Sequence, residues 1–177
     1  VRSAVDDTDT DIKRTAIKTL AQWRNIEAAP DLLALAKSLP EADKALCLRG
    51  YIGLAGNEET PAPERLAMCR QAAALVTGLE EKRLLLGRLG SIATADSIAL
   101  IRPFLNDQAA RQEAGAAVFA IAGALLQGPQ APAHAATVID PLYQVSQAVP
   151  DLTNRTKVML KQAFQVQGPK GQGTGPV

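Results

Sequence analysis

The 177-residue chain predicts an all-α fold, and three observations carry that expectation. Apolar residues recur at the 3.6-residue spacing of a helix in almost every segment, Ala and Leu dominate between them, and Pro, Gly, Asn or Asp interrupt the pattern at short intervals. No segment alternates polar and apolar residues in the manner of a strand. The length suits one domain, since chains of about 150 residues already bury enough surface for a real core. The expected architecture is an α-α superhelix of four to five helical hairpins over residues 1–167, with a Gly/Pro-rich linker or tail over 168–177.

The elements follow in order. A helix is expected over 11–24, opened by Asp11, and a second over 28–38, where AAPDLLALA carries an early proline. The third, 41–55, starts at Glu41, and the fourth, 61–77, starts with Thr60 as a cap before Pro61; acidic first turns complement the positive end of the helix dipole. The fifth, 79–93, places Glu80 and Glu81 in its first turn. The sixth, 95–105, runs through Pro103 to an Asn-Asp turn, and the seventh, 108–127, is opened by Arg111. The eighth, 133–148, contains Pro141, and the ninth, 151–166, has Asp151 as its cap. Pro103 and Pro141 sit late enough to bend their helices, because proline removes one hydrogen bond and clashes with the preceding turn. VRSAV, before DDTDTD, reads as the last turn of a helix whose start is missing, and the chain begins at Val1. Both features fit a module tethered to further domains.

Composition narrows the function classes. Lys plus Arg is 19 against 18 for Asp plus Glu, a net charge of +1, so the basic excess of a phosphate-neutralising protein is missing and nucleic acid is disfavoured. Trp23, Tyr51, Phe104, Phe119, Tyr143 and Phe164 are too few for the stacking platforms that single strands use. No uncharged apolar stretch is long enough to insert in a membrane. Cys47 and Cys69 make no disulfide framework and leave the compartment open.

The run KRLLLGRLGSIA, 82–93, is one copy of a repeated pattern. With Lys82 as an anchor, Lys13, Lys44, Arg111 and Lys157 stand in equivalent places, 31, 38, 29 and 46 residues apart in chain order. Three positions after the anchors come Ala16, Cys47, Leu85, Ala114 and Leu160; seven after come Leu20, Tyr51, Leu89, Val118 and Phe164. Four after come Ile17, Leu48, Leu86, Gly115 and Lys161, and ten after come Trp23, Leu54, Ile92, Ile121 and Gln167. These offsets fall on one side of a helix, so each anchored helix should bury the same stripe as the second member of a hairpin. Lys161 and Gln167 break the stripe in the fifth copy, as a terminal repeat with one wet side would. Gly87 and Gly90 are expected to let neighbouring helices approach.

The stretch IALIRPFLNDQAARQEAGAAVFAIAGAL, 98–125, resembles a HEAT repeat: an apolar helix with a late proline, an Asn-Asp turn, an Arg opening the next helix, then small and apolar residues. LCLRGYIGLAG, 46–56, and EEKRLLLGRLG, 80–90, are similar to HEAT segments of large multidomain bacterial proteins, often exported ones. The resemblance covers residues 1–167 and implies a HEAT-like, armadillo-type α-solenoid with a preference for an exported, periplasmic location over the cytoplasm. The motif is a pattern of sizes and carries no activity with it.

No catalytic constellation is visible, and no cofactor or metal is expected. His134 lacks partners for acid–base or metal chemistry, and Cys47 shares a core column with Leu85. Asp6, Asp7, Asp9, Asp11, Glu58 and Glu59 lie in turns before helices and lack EF-hand spacing. Gly171-Gln172-Gly173 follows no strand and is no phosphate cradle. The basic column Lys13, Lys44, Lys82, Arg111 and Lys157 admits two readings: pairing with acids of the same or next helix such as Glu80, Glu81 or Glu113, which is the simpler one, or a ladder for an acidic partner. The expected function is therefore a non-catalytic protein or peptide interaction and scaffolding module of a larger bacterial protein. The alternatives are a HEAT-like nucleic-acid binder or enzyme of the glycosylase or bilin-lyase kind, and a spacer between domains.

Overall fold

A computed structural model describes residues 1–168, and the rest of the expected tail lies outside the described residues. Among the described residues there are helices and no strands. Nine α-helices run α1 Thr10–Ala21, α2 Ala29–Ser38, α3 Glu41–Leu54, α4 Ala62–Ala73, α5 Leu79–Gly90, α6 Ala95–Ile101, α7 Arg111–Leu125, α8 Ala131–Ala148 and α9 Thr153–Gln167. Short 3-10 turns at Arg2–Asp6, Ile26–Ala28, Arg102–Asn106 and Pro150–Leu152 lie between or before them. The described residues pack as two compact units, the first residues 1–88 and the second starting at residue 89.

In the first unit α3 packs against α1, α2 and α4, and the Arg2–Asp6 turn rests on α1. Its core includes Ile17, Leu20, Leu32, Leu48 and Ile52, all fully buried. In the second unit α6 packs on α7, α7 on α8 and α8 on α9, with the 102–106 turn held between α7 and α8. Ile98, Ile101, Ile121, Leu142 and Val145 fill that core. The consecutive pairs α2–α3, α6–α7 and α8–α9 are thus packed neighbours, and each second member carries an anchor of the repeated pattern.

The stripe is buried where the spacing predicts it, with two exceptions at its ends. Ala16, Cys47, Leu85, Ala114 and Leu160 are all buried, as are Leu20, Tyr51, Leu89 and Val118, and Leu54, Ile92 and Ile121. Phe164 is 48% exposed and Trp23 is 37% exposed, against the expectation. Trp23 lies beyond the end of α1 at Ala21, so the helical offset no longer aims it at the core. Phe164 shares its stretch of α9 with the exposed Lys161.

Helix ends differ from expectation for local reasons. Thr60 is buried and does not cap α4, which starts behind Pro61 without a side-chain cap. Asp151 falls in the 3-10 turn before α9 and accepts from Gln112 Nε2 at 2.8 Å instead. Side-chain caps include Asp9, whose carboxylate accepts from the amides of Asp11 and Ile12, and Thr94, whose hydroxyl accepts from Ser97 N at 3.1 Å. Pro103 terminates α6, the chain continuing as a 3-10 turn, rather than bending it. Pro141 stays inside α8, buried, where it leaves the Thr137 carbonyl without an intrahelical donor. Gly90 does allow a close approach, since a Cβ there would stand 3.3 Å from Ala117, whereas Gly87 faces open space and serves no packing.

Leu89 has no exposed surface. Leu89→Ala is expected to cost about 2 to 5 kcal/mol, and Phe164→Ala less than about 1, in urea denaturation. A Leu89→Ala loss below about 1 kcal/mol would remove the core column from the account.

Candidate functional site

The five anchors lie where the pattern puts them, one each on α1, α3, α5, α7 and α9, but their surroundings differ. Lys44 pairs with Glu41 of its own helix at 3.1 Å, the simpler reading for that residue. Lys13 and Lys82 are half-buried, and Lys157 is exposed. Arg111 is half-buried, and its Nε is enclosed without a hydrogen-bond partner. Of the acids named as partners, Glu80 meets Arg83 at 3.2 Å and Glu81 meets Arg49 at 3.4 Å.

A different arrangement, in the first unit, has the form of a binding site. A groove of about 980 Å³ runs along α3 between the segment that follows α1 and the loop that follows α3. Trp23, Arg24, Arg49, Gly53, Glu59 and Arg88 give it its chemistry. This is larger than a 620 Å³ cleft beside the 102–106 turn, where Arg102 Nε donates to Gln144 Oε1, and a 310 Å³ cleft beside the Arg2–Asp31 ion pair. It lies at the upper end of the roughly 300–1,000 Å³ that ligand sites occupy.

Three glycines at three-residue spacing shape the groove. A Cβ on Gly50 would stand 2.6 Å from the backbone oxygen of Ala21, so glycine is what lets the end of α1 lie directly on α3. That contact brings the next residues, Trp23 and Arg24, to the groove's edge. A Cβ on Gly56 would stand 2.6 Å from Arg88 Cζ, so the Arg88 guanidinium occupies the space a side chain would take. Gly53, between them, is exposed, and nothing lies within 4 Å of its missing Cβ. No packing requires glycine there, although glycine inside a helix costs about 0.5–1 kcal/mol relative to alanine.

The charges are arranged on this floor. Arg49 is half exposed and reaches Glu81, a residue only 5% exposed in the first turn of α5, where the helix dipole favours its charge. Arg24 is exposed and makes no ion pair among the described residues. The buried Arg65 Nε donates to Ala55 O at 2.9 Å, fixing the loop that follows α3. The sequence reading missed this site. Its signal is Gly50 and Gly53 near the end of α3, with Gly56 two residues past Leu54, the last residue of that helix.

Neither thiol is a nucleophile at neutral pH. Burial pushes the Cys47 thiol up to about 11, with Asp43 adding to it, and burial pushes Cys69 to about 11 despite Arg65 and Arg88 pulling downward. Burial, then Cys69, raises the Tyr51 phenol in the same way; its hydroxyl donates to Gln71. His134 is half-buried on α8, and among the described residues no three His, Cys, Asp or Glu side chains gather as a metal site. Among the described residues no helix is long and apolar enough to cross a membrane.

Two measurements follow from this geometry. Gly50→Ala is expected to destabilise by about 1–3 kcal/mol through the clash with Ala21, and Gly53→Ala to stabilise by about 0.5–1 kcal/mol, both read as shifts in the urea midpoint. The thiols have folded pKa values above the ordinary 9, so the unfolded chain gives up its protons first as pH rises. Stability is therefore full below about pH 9 and falls between about 9 and 11, by at most about 1.4 kcal/mol per thiol per pH unit. The Cys47→Ala, Cys69→Ala double variant should flatten that decline in pH-dependent thermal unfolding.

No family model, curated protein or solved structure matches this chain, so the case for a function rests on the groove.

Proposed function

We propose that the chain is a non-catalytic peptide-binding module, a HEAT-like array of helical hairpins, with its binding surface in the groove of residues 1–88. The observation that carries this reading is Gly53: a glycine in the last turn of α3 facing open groove space, at a position where alanine would favour the helix. A glycine in that position lets another backbone come close to α3, as a bound extended segment would. Trp23 offers a rigid amphipathic surface beside it, of the kind that anchors interfaces at little entropic cost. The lining holds no histidine or cysteine, so it supplies fixed charge and surface rather than a nucleophile or a base near neutrality.

The test is selection of a displayed random peptide library on the wild type, with counter-selection on Gly53→Gln. That side chain points into open space, so the variant should fold at least as stably as the wild type while filling the groove. Peptides enriched on the wild type that lose more than about tenfold in affinity for Gly53→Gln are the expected result. Enrichment that is equal on both proteins, or none, would remove the groove from the account.

A further inference from the structure

We infer that the groove takes an extended segment of a protein partner that carries carboxylate side chains, one of them held by Arg24, with an apolar side chain laid on Trp23. This rests on the reading of the groove as a peptide site and adds the chemistry of its occupant.

The sign of the lining is the first argument. Arg24, Arg49 and Arg88 face the groove, against Glu59. Arg49 is committed to Glu81, but Arg24 is exposed, makes no ion pair among the described residues, and stands one residue from Trp23. A carboxylate arriving there gains a partner without breaking one. The guanidinium fork matches a carboxylate in two parallel hydrogen bonds, which fixes orientation as well as adding energy.

The second argument is spacing along the floor. Arg88 covers Gly56 at one end, Arg24 and Trp23 flank the other, and the open position at Gly53 lies between them. An extended chain lying over Gly53 would therefore have Trp23 and Arg24 within reach on one side of its closest approach to α3. Side chains of an extended segment alternate in direction, so carboxylates and an apolar residue can be presented to different walls.

A nucleic acid would use the same guanidinium groups, but it brings a phosphate at every residue. Glu59 and the adjacent exposed Glu58 stand at the loop rim, and the chain's net charge is only +1. A run of phosphates would meet those acids, whereas a peptide with two or three placed carboxylates avoids them.

Trp23 is the single tryptophan, so its fluorescence reports occupancy directly. The probes are three short Trp-free peptides with a central Phe flanked by Glu, by Gln or by Lys, and a short oligothymidylate. The Glu peptide is expected to shift the Trp23 emission and to bind about tenfold tighter than the Gln peptide, with the difference shrinking as salt rises from about 0.05 to about 0.5 M. Arg24→Glu should lose about tenfold for the Glu peptide and gain for the Lys peptide. Arg24 is exposed and unpaired, so circular dichroism and the urea midpoint should stay unchanged in that variant. If the Gln or Lys peptide binds the wild type as tightly as the Glu peptide, the carboxylate assignment falls and the peptide groove stands. If the oligothymidylate binds tighter than any peptide, the assignment falls in favour of phosphate. If none of the probes moves Trp23 and the library selection also fails, both the assignment and the groove reading fall.

Discussion

The contact between Gly50 and the backbone of Ala21 governs the first unit. α3 packs against three other helices there, and α1 can reach it closely only because residue 50 has no side chain. The consequence is geometric. With the last turn of α1 seated on α3, the chain leaving α1 must pass over the α3 surface, and Trp23 and Arg24 end at the groove edge in place of the core. Packing density explains why this one position is strict: interiors are close-packed, and an added methyl against a backbone carbonyl has nowhere to go. At Gly56 the obstacle is the far end of a flexible arginine, which can move, so the same substitution there would redirect Arg88 rather than disturb the fold.

Much of the fold was legible in the sequence because one physical pattern, burial at helical spacing, repeats from helix to helix. The five residues three places after the anchors are all buried, and this follows from periodicity alone. The reading failed where a side chain left its helix or found a partner from elsewhere in the chain. Trp23 is the clearest case, since the offset of ten assumed a helix that stops at Ala21. Asp151 has the chemistry of a cap, yet its carboxylate is taken by Gln112, a residue 39 positions earlier on α7. The candidate site was illegible for a related reason. The anchors form a column of charges, whereas the groove is defined by missing side chains, and no charge pattern shows where a Cβ would point into open space.

The two prolines show how length and packing decide between outcomes that the sequence leaves equal. Proline inside a helix costs about 3 kcal/mol through a lost hydrogen bond and a clash. α6 has seven residues, too few for burial to outweigh that cost, and it gives way to a 3-10 turn at Arg102. α8 has eighteen residues, packs against both α7 and α9, and buries Pro141 beside Val138, Leu142 and Val145. Burying several large apolar side chains is worth more than the one missing bond, so the helix continues through the proline.

The same reasoning separates the charged residues that hold the fold from those left for a partner. Arg65 is buried and bonds a loop carbonyl, Arg49 answers a buried carboxylate, and removing either would strand a polar group away from water. Arg24 stabilises nothing in the chain that the structure shows, and its side chain stays in water where ordering it costs entropy. A long cation beside an exposed tryptophan, over an open glycine, is costly to order unless something from outside completes it. Fixed positive charge then suits recognition better than catalysis, because a guanidinium keeps its proton at every physiological pH and so can orient an anion but not shuttle a proton.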